Sequence, residues 1–227
     1  MLPAPATCAV ILGYGIPRDI LTDGNYRKYL QEAYEMITAT NTPNVVFCGG
    51  HTNIHHPEKS EAAEMQRLFE KIHDDAFAEL QHEIDNLLEK EGYISLDFAM
   101  DLRHKLEQRQ ATHLATKFNY VCLDTAITSF DNIAGLGVCM IVKNFVQAIV
   151  FCEKSRRFKV KLLCKKLLQK NRDTNVIGID FDASRTWRKD AKQIVDYFLT
   201  WAQCLIPEIG EWRNRRQRRH IERISQK

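Results

Sequence analysis

Five short apolar runs in the chain do not alternate with polar residues, and this feature constrains the fold more than any other. The runs are rich in Val, Ile, Phe and Cys. A strand that is buried on both faces has this pattern, which is typical of a parallel sheet covered by helices. The predicted strands are Thr7–Leu12, Asn44–Cys48, Tyr120–Leu123, Ala148–Cys152 and Asn175–Ile179.

Between these runs lie stretches whose apolar residues recur at helical spacing. The predicted helices are centred on Tyr26–Ile37, Ala62–Ile72, Asn132–Val142, Phe158–Leu168 and Ala191–Leu205. Regular alternation of strand and helix favours an α/β fold in which helices cover both faces of the sheet. We therefore predict a Rossmann-like, doubly wound parallel sheet of about five strands, with residues 1–71 and 118–210 forming the core.

Residues 72–117 break this rhythm, because the segment is long, charged and without a strand-like run. Apolar residues at helical spacing, among them Phe77, Leu80, Ile84 and Leu102, predict a helical insertion between the second and third strands. Gly92 is expected to divide it into two helices. The insertion is interpreted as a cap over a site, a dimer surface or a helical pair without a specific role.

Composition excludes several classes of protein. With 44% hydrophobic residues, ten glycines and six prolines, the chain is neither collagen-like nor disordered. Its longest apolar runs are too short to span a membrane, and the start of the chain lacks the basic segment of a secretory signal. The seven cysteines are scattered and form no C-x-x-C pair, so we expect free buried thiols and a cytoplasmic location.

Charge is concentrated at one end of the sequence. Residues 211–227 contain seven Lys or Arg and two Glu, whereas the rest of the chain has 25 basic and 27 acidic residues. This basic tail could bind nucleic acid or an anionic membrane. A solvated helix end is the plainer interpretation, since six arginines alone do not make a nucleic-acid motif.

Ligands of open parallel sheets bind beyond the carboxyl ends of the strands, so the residues that follow each strand are the candidates for a site. The first strand leads into Gly13, Tyr14 and Gly15, a turn whose backbone N–H groups can approach a ligand. The third glycine of the dinucleotide-binding fingerprint is replaced by Arg18.

The second strand is followed by Gly49 and Gly50, and the next helix opens with Ser60 and Glu61. Ser60 is a predicted N-cap, and the Glu61 carboxylate suits the positive end of the helix dipole. His51 lies between them, with His55 and His56 close in sequence. No helical histidine pair or second cluster of ligands supports a metal site, so none is predicted.

The loops after the third and fourth strands contain the remaining candidates. Thr128 and Asp131 match a capping box, and the same helix start, with Ser129 and Asn132, could receive a phosphate or carboxylate. After the fourth strand, Ser155 is a predicted N-cap, and the guanidinium groups of Arg156 and Arg157 follow it directly. A helix N-terminus next to arginines is a predicted anion site, and pairing of these arginines with nearby acids is the alternative.

Taken in order, these motifs resemble the YdcF-like (SanA/ElyC-like) family, a group of bacterial proteins with a domain of unknown function. The resemblance covers roughly residues 7–180, interrupted by the insertion. It rests on short motifs: Gly13 and Gly15, Arg27, Gly49 and Gly50, Ser60-Glu61-Ala62, Ser129 with Asn132 (or Thr128, shifted by one position), and Arg156 or Arg157. The histidine that the family usually has in its fourth loop is missing, because this loop contains Glu153, Lys154 and Ser155.

The resemblance implies a Rossmann-type fold and, from one branch of the family, S-adenosylmethionine or another nucleotide-like ligand. The sequence shows no membrane anchor, and in this respect it resembles the soluble branch of the family. The sequence predicts a site for a nucleotide-like or phosphorylated small molecule, with Glu61, Asp131 and His51 as candidate acids or bases. A transferase or a phosphoester hydrolase is possible, and a non-catalytic sensing or interaction protein is the alternative. No G-x-S-x-G, H-E-x-x-H or P-loop motif selects a reaction.

Overall fold

The computed structural model is an α/β protein built around one five-stranded, all-parallel sheet in the order 3-2-1-4-5. It describes residues 6–13, 19–51, 58–89, 100–101, 104–108, 117–126, 128–168, 172–181, 187–206, 208–212, 215–216 and 219. The strands are β1 (Ala6–Leu12), β2 (Asn44–Cys48), β3 (Asn119–Leu123), β4 (Phe145–Glu153) and β5 (Asp173–Ile179). All five contain the predicted runs, which confirms the predicted Rossmann-like parallel sheet.

Within the described part of the chain, five helices of 11 residues or more connect or follow the strands. They are α1 (Gly24–Ala39), α2 (Glu61–Glu89), α3 (Ser129–Val142), α4 (Arg157–Leu167) and α5 (Trp187–Leu205). A single turn of 3-10 helix, Lys154–Arg156, lies between β4 and α4. None of the helices in the described part of the chain combines the length and hydropathy that a membrane span requires.

Alternate residues of the central strands point into two separate cores, which explains why the runs do not alternate with polar residues. Ala9 and Ile11 of β1 pack with α1 and α2 on one face of the sheet. Cys8 and Val10 pack with α3 and α4 on the other face. Every strand residue of β1 from Cys8 onward is fully buried, so each position must be apolar.

The predicted insertion is organised differently from the expectation. The helix α2 continues without a break from Glu61 to Glu89, so residue 72 lies inside a helix instead of at a boundary. The reason is visible in the sequence, because apolar residues at helical spacing continue through this point with no glycine or proline to end the helix. Gly92, the predicted break, lies outside the described residues.

Candidate functional site

Arg156 joins three of the loops that follow the strands. It ends the 3-10 turn after β4 and is 8% exposed. Its Nη1 donates to the carbonyl oxygen of Gly13, after β1, at 2.6 Å. Its Nη2 donates to Oγ of Ser129, the first residue of α3, at 2.7 Å. Residues predicted from separate parts of the sequence therefore meet at the carboxyl edge of the sheet.

The Arg156 guanidinium is a buried cation that no carboxylate of the described residues contacts directly. Both of its hydrogen bonds go to neutral oxygen atoms, and it forms no ion pair within the described part of the chain. Arginine stays protonated in proteins and has five N–H donors, of which these bonds use two. Burying a charge is unfavourable unless an opposite charge or several hydrogen bonds compensate it. An anionic ligand would supply that compensation.

Glu61 packs against the loops that follow β1 and β2. It is the first residue of α2, and its Oε1 accepts a hydrogen bond from the hydroxyl of Tyr26. Its carboxylate fills the space where a Cβ at Gly13 would lie, and its Oε2 would be 2.8 Å from a Cβ at Gly49. Both glycines are therefore needed for Glu61 to approach the backbone at the ends of β1 and β2.

At Gly50 the backbone of the loop after β2 lies against the backbone of the loop after β3, with no room for a side chain. A Cβ at this position would overlap the carbonyl oxygen of Ala126, in the loop after β3. Just before it, the Gly49 N–H donates to the carbonyl of Leu123 at 3.1 Å, which extends the β2–β3 hydrogen bonding past the strands. The loops after β2 and β3 are thus packed backbone against backbone.

The start of α3 has the predicted capping box. The Thr128 side chain accepts from the N–H of Asp131 at 3.2 Å, and Oδ2 of Asp131 accepts from the Thr128 N–H at 3.0 Å. Asn132, one residue further on, is 7% exposed. Its Oδ1 has no hydrogen-bond partner in the described structure. An unsatisfied buried acceptor costs about 1–3 kcal/mol, and a donor on a ligand would remove that penalty.

The two predicted serine caps have different outcomes. The Ser60 Oγ accepts from the N–H of Ala63 at 3.1 Å, which confirms its role at the start of α2. The prediction for Ser155 was wrong. The chain first makes a 3-10 turn, so that Arg156 takes the N-cap position of α4, and the Ser155 Oγ donates to Oε1 of Glu153 at 2.7 Å.

Other predicted site residues are engaged elsewhere or lie outside the described part of the chain. An exposed ion pair, 2.6 Å long, joins Arg27 to Asp75 of α2. The Arg157 Nε donates to the carbonyl of Val176 at 3.2 Å, on the β5 side. His51 is described and exposed. Tyr14 and Gly15 lie outside the described residues, as do His55 and His56.

Two of the three candidate acids and bases, Glu61 and Asp131, have different structural roles. The Glu61 carboxylate is packed under Gly13 and Gly49, and the Asp131 carboxylate serves the capping box. Within the described residues, no group of three or more His, Cys, Asp or Glu side chains is placed to hold a metal ion.

The sequence analysis missed Tyr29, which holds the ends of two strands together below the site. Its hydroxyl lies 2.9 Å from the carbonyl oxygen of Leu12 and 3.0 Å from that of Phe151. Burial raises its pKa well above 10.0, and nearby Cys152 adds to the effect, so the phenol stays a hydrogen-bond donor. The spacing of apolar residues predicts helix α1. It does not indicate that the hydroxyl of one buried tyrosine forms hydrogen bonds with the carbonyl groups of two strands.

Comparison of the chain with protein-family models, curated proteins and solved structures finds no significant match. The resemblance to the YdcF-like family therefore stays a prediction that rests on the short motifs.

Proposed function

We propose that the carboxyl edge of the sheet binds an anionic small molecule, either nucleotide-like or phosphorylated. The observation that carries the proposal is the buried Arg156 guanidinium, which among the described residues bonds only to neutral oxygen atoms. Guanidinium groups bind phosphate and carboxylate oxygens with strong, directional hydrogen bonds. An anion beside Arg156 would complete its charge balance and bridge the loops after β1, β3 and β4.

The start of α3 supports the same location. Ser129 contacts Arg156 directly, and the positive end of the α3 dipole adds to the attraction for an anion. The unsatisfied Oδ1 of Asn132 favours a ligand that also donates a hydrogen bond, as amino or hydroxyl groups of a nucleoside do. S-adenosylmethionine, which has a carboxylate and a nucleoside, is one candidate, and the resemblance to the YdcF-like family adds to its interest.

Catalysis is a separate part of the proposal. A transfer or hydrolysis reaction would need an acid or base, for which Glu61, Asp131 and His51 are the candidates. Two of them, Glu61 and Asp131, have carboxylates that accept hydrogen bonds from the protein itself. In the alternative, the site binds its ligand without turnover and the protein acts as a sensor or interaction module.

The test is ligand binding by the full chain and by two matched arginine variants. Thermal shift and calorimetry would be run with AMP, ADP, S-adenosylmethionine and inorganic phosphate. We expect Arg156→Gln to weaken binding by at least about tenfold, the equivalent of one charge-assisted hydrogen bond. Arg67→Gln is the control, because Arg67 lies on the exposed side of α2 and pairs with Glu64.

The outcomes distinguish two questions: whether the site binds a ligand, and whether the protein converts that ligand to a product. Binding that Arg156→Gln weakens and Arg67→Gln leaves unchanged supports the site. Product formation from a bound ligand would then identify an enzyme, and binding without product would identify a sensor. If folded wild-type protein binds none of these compounds, or if Arg156→Gln binds as tightly as wild type, the proposed site is wrong.

A further inference from the structure

Two opposite charges contact the same glycine at the carboxyl edge of the sheet. The Arg156 guanidinium donates to the carbonyl oxygen of Gly13 at 2.6 Å. The Glu61 carboxylate occupies the space of a Gly13 Cβ, which would lie 2.2 Å from the carboxylate carbon. Because only Gly13 connects these contacts, Nη1 of Arg156 and the carboxylate carbon of Glu61 are less than about 9 Å apart.

The two charges do not neutralise each other by direct contact. In the described structure Arg156 and Glu61 form no ion pair with each other. The guanidinium bonds to Gly13 and Ser129, and Oε1 of Glu61 accepts a hydrogen bond from the hydroxyl of Tyr26. A cation and an anion are therefore held close together, each with neutral hydrogen-bond partners.

The hydroxyl of Tyr29 lies near both charges. It donates to the carbonyl oxygen of Leu12, the last residue of β1, at 2.9 Å. Burial and then Cys152 account for most of its raised pKa. Among the ionised groups, Arg156 lowers this pKa and Glu61 raises it, as expected of two opposite charges close to one phenol.

The surroundings of this pair favour a positively charged group beside the anion. Glu61 and Ser129 are each partly exposed, so the edge of the sheet between them is accessible. Asp124 follows β3 and is exposed, and Asp131 lies in the first turn of α3. These carboxylates repel a second anionic group and attract a cationic one.

We propose that the ligand is a zwitterion, with an anionic group bound by Arg156 and an ammonium group bound by Glu61. This inference rests on the proposed function, because it assigns the anion to the same guanidinium. Charge-assisted hydrogen bonds are about 2.7–2.9 Å long. One such bond at each end leaves room for only a few atoms between Arg156 and Glu61. A phosphorylated amine has this form, and so does the amino-acid part of a larger molecule.

The experiment compares two pairs of compounds whose members differ by the ammonium group. The phosphate pair is O-phosphoethanolamine and ethyl phosphate, and the carboxylate pair is methionine and methylthiobutyrate. Calorimetry would measure their binding to the full chain at neutral pH. In at least one pair we expect the compound with the ammonium group to bind at least about tenfold more tightly. The pair that shows this preference identifies the anionic group.

Two glutamate variants of α2 test which side chain binds the ammonium group. Glu61→Gln removes the charge and keeps an acceptor for the Tyr26 hydroxyl, so the preference should fall to about threefold or less. Glu79→Gln is the matched control, because Glu79 is exposed and lies about 27 Å further along the same helix. It should keep the wild-type preference, and circular dichroism should show that both variants are folded.

The outcomes distinguish this inference from the proposed function. If both members of each pair bind wild type equally and Arg156→Gln weakens them, the anion site is supported and the zwitterion is wrong. A preference that Glu61→Gln leaves intact also overturns the inference, because another group then binds the ammonium. If none of the four compounds binds, the inference is wrong. The proposed function fails with it only if AMP, ADP, S-adenosylmethionine and inorganic phosphate do not bind either.

Discussion

The Nη1 atom of Arg156 donates a hydrogen bond of 2.6 Å to the carbonyl oxygen of Gly13, a residue 143 positions earlier in the sequence. This contact fastens the loop after β4 to the loop after β1, which are neighbouring strands in the sheet. The second bond, to Ser129, brings in the loop after β3. The site therefore exists only in the complete sheet, because no single segment contains its parts.

Replacing Arg156 should lower stability as well as ligand binding. Arg156→Gln removes two hydrogen bonds from a charged donor and leaves the Gly13 carbonyl and the Ser129 hydroxyl without that partner. We expect the free energy of unfolding to fall by about 2–3 kcal/mol, measured by urea denaturation. Ser129→Ala, which removes one acceptor, should cost about 1 kcal/mol. Equal stability of wild type and Arg156→Gln would show that these bonds contribute nothing.

The backbone contact at Gly50 predicts a large difference between two glycine-to-alanine substitutions. In Gly50→Ala the new methyl group meets the carbonyl of Ala126, and backbone cannot move aside as a flexible side chain can. We expect a loss of about 3 kcal/mol in thermal or urea unfolding. In Gly24→Ala the methyl group meets nothing within 4 Å, so stability should be unchanged or slightly higher. A tolerated Gly50→Ala would contradict the close packing of these loops.

The sheet could be predicted from the sequence because burial on both faces leaves an unbroken apolar run at each strand. The loop residues could be predicted because the strands of a parallel sheet end at one edge, where Gly13, Gly49 and Arg156 all lie. The role of Tyr29 could not be predicted, since one of its two partner carbonyls, that of Phe151, belongs to a strand 122 residues away.

Helix α5 shows a second limit of the same reasoning. An apolar stripe ordinarily indicates the buried side of a helix, but in α5 the stripe is exposed. The ion pair between Lys159 and Asp196 lies on the opposite side, and no local pattern marks those two residues as partners. The orientation of this helix is decided by tertiary contacts that periodicity does not contain.

That ion pair predicts how α5 is held on the domain. The side chains of Lys159 and Asp196 are only 11% and 25% exposed. Asp196→Ala leaves a largely buried ammonium without its carboxylate, and we expect a loss of about 2–3 kcal/mol and faster hydrogen exchange in α5. The double variant Lys159→Met with Asp196→Leu should lose less, because no charge stays buried. Similar losses in both variants would mean that the apolar contacts, and not the charges, fix the helix.

The buried thiols predict that stability falls at alkaline pH. Burial raises the pKa of Cys8 and of Cys164 to about 12 and that of Cys152 to about 11, from 9.0. Above pH 9 the unfolded chain loses these protons while the folded protein keeps them, so stability is complete below pH 9 and decreases as the pH rises toward 11–12. At pH 10 each thiol should contribute a loss of about 1 kcal/mol. Urea denaturation at pH 7.5 and pH 10 measures the difference, and Cys8→Ala should reduce it by the contribution of one thiol, about 1 kcal/mol. A free energy of unfolding that stays constant between these pH values would show that the thiols are not shielded as their burial indicates.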